Sequence, residues 1–187
     1  MELKDLLKLS LPLLILCGIG EIFAGGLFGG MSEFLLEHPG IIVLIPALIG
    51  LKGNIDITLG SRLGSAIHLG LISPGNVWNN EMRQNVGAAF ALTAIMTVIA
   101  SVLAYTTSFL LGFDSIGLIQ LLLIGFSAGV VSGLILIFIT IGIIFFSVKF
   151  ELDPDNITAP SLATLGDMIT IANIFIFAFI FLEVLSL

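Results

Sequence analysis

Charge is what this chain has least of. Only 10% of its 187 residues are charged, where a soluble domain carries about a quarter. Basic residues are scarcer still, six against thirteen acidic, and the net charge of −7 excludes nucleic acid as a partner, because phosphate binding needs a basic surface. A single cysteine, Cys17, rules out an intrachain disulfide and a thiolate metal cluster. Set among Leu, Ile and Gly, it reads as an inert buried thiol. With two histidines in all, the Cys/His grouping of a dedicated zinc or copper site is missing too. Long polar stretches are also absent, the longest being the loop Pro74–Asn85. No cofactor is called for.

What remains is apolar: 58% hydrophobic residues and a mean hydropathy of +1.22. These values describe an all-α integral membrane protein with no sizeable soluble domain at either end. A bilayer core takes about 20 apolar residues of helix, and five segments reach that length: about 11–30, 41–72, 86–111, 116–148 and 158–185. The first follows Lys4 and Lys8 as a signal peptide would, but it is too long for a signal core and is taken as a spanning helix. The whole chain, 1–187, reads as one membrane domain of the cell membrane.

Basic residues set the orientation. Lys4, Lys8, Arg83 and Lys149 fall on one side, whereas Glu33, Glu37 and Asp114 occupy the other loops. Five spans then put the N-terminus inside and the C-terminus outside. Trp78, in the longest polar loop, is placed as an interfacial anchor. Small residues at spacings of four, such as Gly125, Gly129 and Gly133, predict close helix packing.

Two polar islands interrupt the apolar chain. In the second segment Asn54, Thr58, Ser61, Ser65 and His68 recur at steps of four and three, one face of a helix. A polar stripe roughly 20 Å long is costly to point at lipid. Lys52 and Asp56, four apart, are placed to pair, and Arg62 is free to reach a carboxylate on another helix. Pro46 and the Gly50/Gly53 pair favour a break, with freed carbonyls lining a cavity.

The second island runs from Asp153, Asp155 and Asn156, a turn leading into a helix, to Asp167. Thr164, Asp167, Thr170 and Asn173 recur at three-residue steps. Asp167 falls near mid-membrane, with no base on its own helix. Such a carboxylate must bind a cation, take a partner such as Arg62 or Lys52, or stay protonated. Carboxylates, hydroxyls and amides are the ligands of hard divalent cations, and magnesium keeps much of its water in such sites. Glu21, in the first segment, either lines the same pathway or pairs with a base.

At these residues the sequence resembles a known family. Pro46-Ala47-Leu48-Ile49-Gly50-Leu51-Lys52-Gly53-Asn54, followed by Asp56 and Thr58-Leu59-Gly60-Ser61-Arg62-Leu63, is similar to the signature of the eukaryotic solute-carrier relatives of MgtE. Asp153-Pro154-Asp155-Asn156-Ile157-Thr158-Ala159-Pro160 with Leu165-Gly166-Asp167 resembles that family's second signature. The resemblance implies a divalent-cation channel or transporter, magnesium leading and manganese or calcium following, built as a homodimer with helices two and five around a central pore. It implies Asp167 as the pore carboxylate, with Asn54 and Gly53 at the pore-lining start of the helix-two motif. It leaves sodium as a candidate coupling ion, and direction of transport open. MgtE proper has a large cytoplasmic sensing region before its membrane unit; here about ten residues precede the first helix, so gating by such a region is not expected.

The expected site therefore comprises Asp167, Asn54 and Asp56 as metal residues. Gly53, Thr58, Ser61, Thr164, Thr170 and Glu21 line the pore, and Asp153, Asp155 and Asn156 stand at an entrance. Two other classes fit parts of the sequence. An intramembrane aspartyl protease needs a second aspartate beside Asp167, for which Asp56 is the candidate. A non-transporting scaffold needs only that the polar residues hold helices together.

Overall fold

The computed structural model describes residues 3–73, 75–113, 116–150 and 154–185, and these form helices joined by short turns and loops. α1 covers Leu3–Gly30, the short α2 Ser32–Glu37, α3 Pro39–His68, α4 Asn80–Leu110, α5 Leu118–Lys149 and α6 Pro154–Ala178. α6 widens into π-helical turns over Phe179–Val184. Five helices are long and apolar enough to cross a membrane. The small α2 was not anticipated; it turns the chain between the first two spans.

α3 runs unbroken through Pro46, Gly50 and Gly53, so the break expected there does not occur. Proline removes one N–H and crowds the preceding turn, but within a bundle neighbouring helices and local adjustment absorb this. α4 opens on a capped end: the Asn79 side chain accepts from the Met82 backbone N–H at 3.0 Å. The loop before it is held by the Asn79 amide, which donates to the Leu71 carbonyl at 2.6 Å.

α3, α4, α5 and α6 make the bundle proper. α3 touches the other three, while α1, among the long helices and the described residues, touches only α6. The α4–α5 contact shows how polar residues are buried without charge. Thr93, Thr97 and Ser101, four apart on α4, are 0–1% exposed. They meet Gly133, Gly129 and Gly125, four apart on α5, in antiparallel order. Any Cβ at Gly125 or Gly129 would run into Ser101 or Thr97. The hydroxyls of Thr97 and Ser101 turn back to carbonyls of their own helix, at 3.1 and 2.8 Å. Their polar groups are thus satisfied locally; the methyl groups of Thr93 and Thr97 fill the gaps at Gly133 and Gly129, and the small Ser101 side chain fills that at Gly125.

Candidate cation site

Lys52 and Asp56 lie on the inner side of α3, each 1% exposed, with the ammonium 3.2–3.3 Å from the two carboxylate oxygens. The Lys52 Nζ also donates to Thr93 Oγ1 of α4 at 3.3 Å and sits against Gly133 of α5. A side chain at Gly133 would meet Nζ at 2.9 Å. The pair anticipated from the four-residue spacing is therefore present. What the spacing could not show is that its companions, Thr93 and the bare backbone at Gly133, come from two other helices.

The opposite side of α3 carries the polar stripe. Asn54, Thr58, Ser61, Ser65 and His68 are all exposed in the single chain, as is Arg62. The Thr58 hydroxyl donates to the Asn54 carbonyl at 2.7 Å, leaving its lone pairs facing outward. Asn54, Thr58 and Arg62, with Asn85 of α4, line a groove of about 240 Å³ between the two helices. Gly53 is half-buried, and a Cβ there would meet nothing within 4 Å.

On α6, Asp167 is half-buried and its carboxyl group has Glu21 of α1 as its neighbour. α1 comes this close because Gly20 has no side chain: a Cβ there would overlap Thr164 Cγ2 and touch Met168 Sδ at 3.6 Å. Thr164 is consequently buried at the α1 contact. Thr170 is 0% exposed and its hydroxyl has no hydrogen-bond partner among the described residues. Asn173 is committed inside the bundle, donating to Ser132 Oγ of α5 at 3.1 Å and to the Ile169 carbonyl at 3.0 Å. Asp155 and Asn156 stand in the first turns of α6, and Asp153 lies outside the described residues.

The fold thus separates two ionic features. Lys52, the one base buried among the described side chains, is held by Asp56. Glu21 and Asp167 form a carboxylate pair at the α1–α6 seam, and the one ion pair among the described residues does not involve them. Glu21 as the neighbour of Asp167 was not legible in sequence, because 146 positions part them and only the small residue at position 20 hints at a close approach. No group of three or more His, Cys, Asp or Glu gathers as a metal cage among the described residues. The arrangement offers outward-facing oxygens and a paired acid, the chemistry of a partly hydrated hard cation.

Positions 45–177 match the MgtE family, described as "Divalent cation transporter". Solute carrier family 41 member 2 of Homo sapiens is 32% identical over 179 residues, covering 89% of this chain and 30% of the relative. Solute carrier family 41 member 3 of Rattus norvegicus is 29% identical over 177 residues, covering 88% and 36%. The chain spans about a third of the length of these curated relatives. No solved structure matches.

Proposed function

The chain belongs to the MgtE family of divalent cation transporters, and on that premise we propose that it passes a divalent cation, magnesium first, across the cell membrane through a pathway bounded by α3 and α6. The observation that carries this reading is the Glu21–Asp167 pair. Two acids brought together inside a membrane repel one another unless a cation or a proton lies between them. Lys52 is occupied by Asp56 and is not available to neutralise them.

In this reading Asp167 holds the ion through its water shell, with Glu21 beside it. Asn54, Thr58, Ser61, Thr164 and Thr170 face that shell or shape the wall behind it. Asp56 serves as a ligand only if Lys52 releases it. Asp153, Asp155 and Asn156 gather cations at one mouth. The N-terminus is inside and the C-terminus outside, as the basic residues direct. The polar stripe on α3 has no cover in one chain, and in lipid that is costly. A second copy supplies the cover, placing the two stripes across a shared axis in a homodimer.

Magnesium flux into proteoliposomes tests the proposal, wild type beside Asp167→Asn, with and without a sodium gradient. Flux reduced to background in the variant, with the protein still folded, supports it. A sodium requirement marks exchange, and its absence marks a channel. Wild-type protein that passes neither magnesium, manganese nor calcium would sink the proposal in favour of a scaffold. The protease reading lacks its second aspartate at Asp167: Asp56 is paired with Lys52, and the acid alongside is Glu21.

A further inference from the structure

A second groove opens on a different face of α4, against α5. It holds about 350 Å³, and Trp78, Arg83, Gly87, Phe90, Leu134 and Phe138 line it. Its character differs from that of the α3–α4 groove. Trp78 and Phe138 are 60% and 68% exposed, and Phe90 and Leu134 are exposed as well; in a membrane-spanning chain such side chains face lipid. Among the described residues no acidic one lines it. Gly87 lines it, and a Cβ there would project into open space with nothing within 4 Å.

The polar end of the groove is positive. Arg83 is exposed and makes no ion pair among the described residues. It stands in the first turn of α4, where unpaired backbone N–H groups already give the helix end positive character. Glu81, the acid of that turn, is half-buried and does not line the groove. Lys149, eleven residues beyond Phe138 on α5, returns to nearly the same helical stripe at the same end of the bundle. Trp78 sits in the loop beside them, a residue type suited to the headgroup level. From Arg83 to Phe90 is seven residues, roughly 10 Å of apolar trough running into the membrane.

We propose that this α4–α5 groove is a binding site for one anionic phospholipid, its phosphate on Arg83 and its acyl chain laid over Gly87 between Phe90 and Phe138. Charge complementarity selects the occupant: a cationic mouth over an apolar trough matches a lipid with net negative charge and not a zwitterionic one. With the N-terminus inside, this is the cytoplasmic leaflet, where anionic lipids attract basic residues near the membrane surface. The site depends on the chain spanning a membrane and not on what the chain transports.

Native mass spectrometry of the full chain, released from micelles holding equal phosphatidylglycerol and phosphatidylcholine, reads lipid retention and oligomeric state together. Wild type is expected to keep phosphatidylglycerol in preference. Arg83→Gln is expected to cut that preference about fivefold, the ratio one basic contact near a membrane surface supplies. Gly87→Leu, whose Cβ enters open space and whose branched end occupies the trough, is expected to cut it with the charge intact. Arg62→Gln, in the other groove, is expected to leave it unchanged. Equal retention of the two lipids in wild type overturns the proposal. So does a preference lost in Arg83→Gln but kept in Gly87→Leu, which is surface attraction without a groove. A Gly87→Leu protein that falls from dimer to monomer with unchanged lipid retention gives the groove to a second copy instead.

Discussion

Lys52 is 1% exposed, and its amino group is enclosed by a carboxylate, a hydroxyl and a bare glycine backbone. A buried pair adds little over an apolar replacement, but losing one partner strands the other, at a cost of about 3–5 kcal/mol. Lys52→Met is therefore expected to lower the melting temperature in detergent sharply, and Lys52→Met with Asp56→Leu to recover most of the loss. If the double variant melts no higher than the single one, the pair is not the local unit described here. Glu21 invites a second substitution. Glu21→Gln keeps the shape at the α1–α6 seam and removes one negative charge beside Asp167. Half-maximal flux is expected to need several times more magnesium, with melting unchanged or raised because the repulsion is relieved. An unchanged magnesium dependence would remove Glu21 from the ion's surroundings.

At the scale of elements, α4 and α5 are joined by hydroxyl side chains set into glycine gaps, and the fit is steric. Gly129→Leu forces a branched side chain onto Thr97, an overpacking of about 1–3 kcal/mol or more. Gly142→Leu, on the same helix where nothing lies within 4 Å, is expected to be close to neutral. Thermal unfolding of the two variants side by side checks this. Equal losses would mean that helix propensity, and not the α4–α5 contact, sets the effect. α1 is a different kind of element. It touches only α6 among the long helices and the described residues, so its position rests on one seam, at which Gly20 admits Thr164 and Met168. Widening that seam with Gly20→Leu separates Glu21 from Asp167 and is expected to reduce transport while leaving the α3–α6 bundle folded.

At the scale of the molecule, one chain leaves a polar face of α3 open to what must be lipid or another copy. If copies meet across that face, a single cysteine there links them. With Cys17 replaced by serine, Ser61→Cys is expected to give a disulfide dimer on mild oxidation in membranes, and Phe138→Cys, on the lipid-facing side, to stay monomeric. A monomer from Ser61→Cys with a dimer from Phe138→Cys would turn the assembly inside out.

The sequence by itself determined the membrane class, the five spans and the family, since these depend on local quantities: hydropathy over about 20 residues, helical period and short motifs. The i,i+4 spacing of Lys52 and Asp56 is local in the same sense, and the pairing was legible there. Tertiary structure alone decided that Lys52 also rests on Thr93 and Gly133, that Asp167 has Glu21 as its neighbour, and that Asn173 is spent on Ser132. Each of these contacts joins helices far apart in the chain, and their register follows from how the glycine gaps of one helix accept the side chains of the next. The break expected at Pro46 failed for the same reason: the local preference of proline is weak beside the packing of a helix held along its length by three others.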